Sequence, residues 1–260
     1  MRGLILLLAA LLIPLSSSAD SGLPFLKDKV GDDIQLPRPW GIGGDFYTMD
    51  QNYDIKDLTF ALPGVTLPDP SQIKVTNEVA HLDIQGDVWL LPFLNVFGIL
   101  GRVNIDTVVD FSQAEIQGLP ITLGDLPVKF DGTVYGGGFT LAYGSDKWFA
   151  SVTTAFTKTN TSGDLDSSVK SVSVQPRIGL IKDSWRFWVG SMYLKTDETH
   201  SGAFDIPYIG PVPFEVVLET KDKWNYVVGA GYAFNDRAAL RLEYGFGARN
   251  HTLFNFVFRF

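Results

Sequence analysis

Cysteine is absent from the 260 residues, which excludes a disulfide framework, a thiolate metal site and a lipid anchor built on cysteine. Basic residues are the minority sign, 21 Lys and Arg against 29 Asp and Glu, for a formal charge of -8. With no basic patch to neutralise phosphate, a non-specific grip on nucleic acid is not expected. Long hydrophobic runs are missing as well. After Ala19 no segment approaches the roughly 20 apolar residues that a membrane-crossing helix needs. Histidines number three, and the chain holds no G-x-S-x-G elbow, no metal-ligand spacing and no phosphate-cradling glycine loop.

What is there suits strands and turns: aromatics make up 13% of the chain and glycines number 26. Residues 1–19 read as an export signal, with Arg2 as the positive start, Leu4 to Leu15 as a short apolar core and Ser17-Ser18-Ala19 as a small-residue cleavage site. Residues 20–39 mix charge, Gly and Pro without periodicity and read as an N-terminal lead-in. Residues 40–260 form one domain.

Within that domain alternation dominates. Val79, His81, Asp83, Gln85 and Asp87 alternate with Ala80, Leu82, Ile84, Gly86 and Val88, the period of a strand whose two faces differ in polarity. Between Asn95 and Phe111, Phe97, Ile99, Val103, Ile105 and Val109 oppose Arg102, Asn104, Asp106 and Asp110, with Leu100 and Val108 as exceptions on the polar side. Val172, Val174, Pro176, Ile178 and Leu180 oppose Ser171, Ser173, Gln175 and Arg177; Leu240, Leu242, Tyr244 and Phe246 oppose Arg241, Glu243 and Gly245. The phase changes at Gly136-Gly137-Gly138, which reads as a bulge.

Short turns at Leu91-Pro92-Phe93, Gly144 to Asp146, Lys182-Asp183-Ser184 and Asn235-Asp236-Arg237 alternate with longer links near 112–126, 159–167 and 197–213. Strands are expected over 40–50, 74–90, 94–111, 128–143, 148–158, 168–181, 185–197, 216–234, 238–248 and 251–260. That makes ten, or twelve if Asp54 to Leu62 pairs with a partner near 72–78. The fold class is all-β, and short turns on one rim with long loops on the other match a transmembrane antiparallel up-and-down β-barrel.

The last strand places Thr252, Phe254, Phe256, Phe258 and Phe260 on one face and His251, Leu253, Asn255, Val257 and Arg259 on the other. In water four phenylalanines in a row would be an aggregation hazard; against lipid they are solvated. With this ending and its export signal the chain resembles the bacterial (Gram-negative) outer-membrane β-barrel proteins. The resemblance implies an outer-membrane location, lipid as a partner, and Phe256, Phe258 and Phe260 as the signal read by the barrel-assembly machinery.

If the apolar face meets lipid, the polar face lines a lumen. On that basis His81, Asp83, Asp87, Arg102, Asp106, Arg177, Arg241, Glu243 and Arg259 all point inward. Charges of both signs in a narrow space would pair, giving either a salt-bridged plug or the lining of a pore. His81 and Asp83, two apart on one face, are the best acid-base pair, but no motif sets a serine beside them; His200, in Asp197-Glu198-Thr199-His200-Ser201, reads as a solvated loop. No cofactor, metal or catalytic activity is expected. Three apolar, proline-rich links, Leu62 to Pro68, Leu119 to Pro127 and Ile206 to Pro213, suit a lid or a hydrophobic mouth. The expectation is a non-enzymatic barrel that passes or binds small solutes, hydrophobic ones among them. The alternatives are a barrel hydrolase acting on lipid or peptide and a structural or surface-interaction barrel.

Overall fold

A period of two dictates strands; where their edges pair decides the architecture. The structure is a computed structural model that describes residues 22–31, 34, 36–60, 69, 72–112, 125–162, 166–206 and 210–260. Its single antiparallel sheet runs β1 (Trp40–Phe60), β2 (Lys74–Leu91), β3 (Leu94–Asp110), β4 (Asp125–Gly144), β5 (Trp148–Ser162), β6 (Asp166–Lys182), β7 (Trp185–Ile206), β8 (Gly210–Thr220), β9 (Trp224–Ala233), β10 (Ala238–Phe246) and β11 (Asn250–Arg259). Strands β1 to β7 pair as successive neighbours. The sheet continues through β9, β10 and β11, and β11 returns to the second edge of β1 over residues 41–50. Ten strands thus close a ring with no free edge, the one way strands satisfy their backbone polar groups in lipid.

β8 joins at a different level. One of its edges takes β7 over residues 197–206 and the other takes β1 over residues 53–60. The β10–β11 hairpin stops below it, so the ring has ten strands at its base and eight at its top. The single strand expected over 216–234 is therefore two, because the chain must step sideways at Lys221–Lys223 once the hairpin no longer separates it from β1. Asp54 onward continues β1 and opens no extra pair of strands. The expected bulge at Gly136–Gly138 is also absent: the register runs unbroken through these residues on both sides. Shifts occur at Ile55/Asp57 and Trp89/Leu91 instead.

The base carries the short turns and both ends of the sheet. Trp40 and Phe260 close the seam with reciprocal backbone hydrogen bonds of 3.3 and 3.0 Å. The lead-in contains one 3-10 turn, Lys27–Lys29, and docks at this rim where the Phe25 N–H donates to the Leu90 carbonyl at 2.8 Å. Arg38 donates to Asp236 in the β9–β10 turn at 2.9 and 2.7 Å, which holds that carboxyl below its ordinary pKa.

Two aromatic belts circle the exterior. Near the base, Trp185 stacks on Phe187 and meets Tyr232, which meets Phe234, and Tyr143 meets Trp148. Higher up, Tyr193 meets Trp224, and Phe246 meets Tyr226 and Tyr244. Between the belts lie exposed Leu242, Val189, Val228, Phe256, Ile178 and Leu82. Trp185 and Tyr193 are about 27 Å apart along β7 at ~3.4 Å per residue, or roughly 20 Å in height at a tilt of about 40°, near the apolar band of transmembrane barrels.

Strands of 15 to 22 residues in β1 to β7 exceed the ~10 that a crossing takes, so the top stands clear of the belt. There the exterior turns polar (Arg102, Asn104, Asp106, Lys129, Asp131, Lys158, Lys170) and the interior apolar. Val103, Ile105, Phe130 and Val134 form one buried cluster, and Tyr53, Val75 and Leu218 another. Apart from the shifts at Ile55/Asp57 and Trp89/Leu91, each strand keeps its inward parity; the solvent outside changes from lipid to water, and the hydrophobic phase inverts with it. This accounts for the phase change at Gly136–Gly138. It also sets an expected contrast: Leu242→Arg should cost about 2–4 kcal/mol in vesicles, whereas Asn104→Arg, also outward but above the belt, should stay within about 0.5 kcal/mol. Urea titration of both variants after refolding measures this, and equal costs would remove the boundary.

Candidate functional site: the lumen and its closure

Between the belts, inward parity places His81, Asp83 and Asp87 on β2, Arg177 on β6, Arg241 and Glu243 on β10, and Arg259 on β11 inside the ring. Arg102 and Asp106 are not among them. Both lie on the exterior of the top, where Lys129 pairs with Asp106 at 2.9 Å. Their assignment inverts because the apolar residues beside them fill the closed top and do not face lipid. Leu100 and Val108, the two exceptions to the pattern of β3, share the outward face with them.

Four of the inward charges form two ion-paired clusters. Glu243 accepts two hydrogen bonds from Arg177, at 2.6 Å from Nε and 2.8 Å from Nη2, and a third from Trp188 Nε1 at 2.6 Å. Gln175 accepts from Arg177 at 2.5 Å, so the guanidinium is held as a fork. A Cβ at Gly229 would strike the Trp188 ring and one at Gly245 would strike the His251 ring, so these two glycines make room for the rings beside the carboxylate. In the second cluster Arg259 donates to Asp87 at 2.9 Å and lies 5.9 Å from the Trp89 ring, while Asn95 donates to Asp87 at 2.5 Å.

Asp45 and Asp83 face each other across β1 and β2, with Asn255 donating to Asp45. His81 Nε2 approaches Asp83 to 3.4 Å, yet the alignment makes no hydrogen bond and the nitrogen is left without a partner. No serine hydrogen-bonds to this pair among the described residues. Nor do three or more His, Cys, Asp or Glu side chains among them converge to hold a metal ion.

Arg241 differs from the other inward arginines. It lies inside the ring near Arg177, Arg259, Asp45 and Asp87, yet among the described residues its guanidinium has no hydrogen bond or ion pair, and its side chain is exposed to the open lumen. Gln85, Thr140, Ser151, Thr153 and Gln175 also point inward and stay partly exposed. The lower lumen is therefore a polar space that side chains do not fill.

Ring closure, an apolar outer belt and a polar interior decide the class. The protein is a transmembrane β-barrel. No family model and no curated protein sequence matches the chain. Among solved structures, the barrel is similar to the outer membrane protease OmpT from Escherichia coli, with 7% identity over 87% of this chain and 96% of that one and a TM-score of 0.44. It is similar also to the toluene transporter TbuX from Ralstonia pickettii, with 10% identity over 87% and 90% and a TM-score of 0.34. A third is the transport unit of the autotransporter AIDA-I from Escherichia coli, with 7% identity over 89% and 92% and a TM-score of 0.33. These proteins do unlike work, and the likeness assigns none of it to this barrel.

Above the lower lumen the barrel shuts. Eight strands leave an interior that side chains alone can fill, and the two apolar clusters of the top fill it together with Asn77, which is 0% exposed, Gln51, Thr107, Thr159, Thr196 and Thr220. Lys56 and Lys223 bind Glu219 at 2.6 and 3.1 Å, the first tying β8 to β1, and both hold the Glu219 carboxyl below its ordinary pKa.

Two features of the top escape a reading by periodicity. The first is Arg249, between β10 and β11, which donates to Gln51 Oε1 at 2.9 Å and to the carbonyls of Lys223 at 2.7 Å and Met192 at 3.5 Å. The second is His200. The link expected over 197–213 is mostly strand, because β7 runs to Ile206 and β8 starts at Gly210. His200 is accordingly inward and 5% exposed, not solvated. The proline-rich links Leu62 to Pro68 and Leu119 to Leu123 lie outside the described residues, whereas Gly210 to Pro213 begin β8.

Proposed function

We propose that this barrel sits in the outer membrane and binds small anionic solutes that enter its lumen from the periplasmic side, and that it is not an open pore. The observation that carries the reading is Arg241. An arginine left without a partner in a space enclosed by protein keeps its full capacity for bidentate hydrogen bonding to a carboxylate or phosphate. The charged lining favours polar over hydrophobic solutes, and the packed eight-stranded top supports closure toward the outside. The outer-membrane placement is supported by the height of the lipid belt and by Phe256, Phe258 and Phe260, whose outward side chains fit the role of an assembly signal.

Trp188 packs beside Gly231, against which the Arg241 stem also lies, so indole fluorescence reports on the site. Titrating succinate and inorganic phosphate into the refolded barrel should give a saturable change that Arg241→Gln abolishes. A flat response in the native chain removes the binding reading. In planar bilayers the native barrel should stay silent; regular conductance steps would show that the top is open.

A further inference from the structure

The top of the barrel holds a hydrogen-bonded chain of three side chains that the lumenal reading does not use. β6 and β7 pair with Ser167 opposite His200 and Val169 opposite Glu198, and inward parity puts all four side chains on the interior face. Ser167 Oγ lies 2.7 Å from His200 Nδ1, and His200 Nε2 lies 3.0 Å from Glu198 Oε2. A carboxylate on Nε2 fixes the proton on that nitrogen and leaves Nδ1 as the acceptor for the serine hydroxyl. Nucleophile, base and orienting acid are thus in sequence, at the separations that acyl-transfer sites use.

The surroundings fit that assignment. Glu198, 2% exposed, has the Tyr53 hydroxyl within hydrogen-bonding reach, and burial raises the Tyr53 pKa well above its usual value, so this phenol stays a donor that can hold the carboxylate in place. The Phe130 ring centroid is 5.1 Å from that of His200, and Phe130 belongs to the apolar cluster with Val103, Ile105 and Val134. Ser167, next to the start of β6, keeps partial exposure while its two partners are sealed. That partial exposure leaves the oxygen open to a reacting carbonyl, and the Phe130 cluster offers an apolar wall for the acyl group.

The geometry points to a serine hydrolase site at the top of the barrel, with Ser167 as nucleophile, His200 as general base and Glu198 as the residue that orients it, acting on carboxylic esters with a short apolar acyl chain. Ser167 Oγ attacks the ester carbonyl carbon as its proton passes to His200 Nδ1. The new C–O bond forms, the bond to the alkoxy oxygen breaks, and His200 returns the proton to the departing alcohol. Water then attacks the acyl-serine and gives a proton to His200. The acid leaves, and Ser167 Oγ regains the proton. Throughout, the Nε2 proton stays on the imidazole.

The site is independent of Arg241, so either reading can fail alone. The test takes the full barrel in detergent, with heat-modifiable gel mobility as the check that each variant is folded. A fluorophosphonate probe should add covalently to Ser167, located by peptide mass spectrometry, and p-nitrophenyl butyrate should be hydrolysed. Ser167→Ala should abolish labelling and lower hydrolysis by about a thousand-fold or more, and folded His200→Gln should do nearly the same. Glu198→Gln should lower kcat with KM little changed, because it acts through the histidine. Absence of a Ser167 adduct on the folded native chain, or equal hydrolysis by Ser167→Ala, overturns the site and leaves the three residues as a structural network. A Ser167 adduct with no turnover of the butyrate ester overturns the ester assignment.

Discussion

Replacing Arg249 by methionine should destabilise the barrel by about 3 kcal/mol or more, the scale of removing one side of a buried, hydrogen-bonded charged group. The reason lies in the change of strand number. Where the β10–β11 hairpin ends, β8 has not yet reached β1, and the polar groups around the step need partners. Arg249 supplies them: it spans from the hairpin to Gln51 on β1 and to the Met192 and Lys223 carbonyls on either side of the β7–β9 junction. Asn225 completes the knot, donating to the Arg249 carbonyl at 2.9 Å and accepting from its N–H at 3.3 Å. Methionine fills much of the volume but leaves the Gln51 amide oxygen without its donor and takes a charged donor from the Met192 and Lys223 carbonyls, the latter keeping the Leu194 N–H at 2.8 Å. Lysine restores the charge without the fork and should recover only part of the loss. Urea unfolding in vesicles, followed by tryptophan emission, measures both. A cost below about 0.5 kcal/mol for methionine would mean that water, and not Arg249, satisfies the step.

The strands and most turns were legible because lipid and lumen impose opposite polarities on alternate residues. β10 and β11 never leave that regime, and their faces are read correctly: Leu242, Tyr244, Phe256 and Phe258 outward, Glu243 and Asn255 inward. Arg102 and Asp106 misled because the same parity continues above the belt, where water outside and packing inside reverse the polarity. Alternation gives two faces and does not name them; the depth of the residue does. The segment after Asp197 went further and lost the signal altogether, since Lys195, Asp197 and Thr199 outward alternate with Thr196, Glu198 and His200 inward, polar on both sides. A strand with a polar interior face above a membrane looks like a solvated loop. The Ser167–His200–Glu198 chain was hidden for the same reason, and one signal could have found it: Glu198 and His200 are two apart, on one face if the segment is a strand.

The second large effect belongs to Glu243. This carboxylate has almost no exposure and accepts hydrogen bonds from both Arg177 and Trp188, so Glu243→Leu leaves a guanidinium and an indole N–H to face an apolar side chain in the lumen. The expected cost is about 3–5 kcal/mol, larger than that of Arg177→Leu, because in the second case Trp188 still donates to Glu243 and open lumen lies nearby to solvate the free oxygen. Combining the two substitutions should recover roughly 1–3 kcal/mol of the summed losses, since neither charge is then stranded. The Trp188 donor gives a local readout as well: in Glu243→Leu its emission should move, while the belt tryptophans Trp185 and Trp224 should not respond. The cycle also bears on the lumen. With Glu243 gone, Arg177 becomes a second arginine without a carboxylate, close to Arg241, and phosphate should then bind more tightly than to the native barrel. Weaker phosphate binding in a folded Glu243→Leu barrel would show that Arg241 does not set the affinity of the lumen for anions.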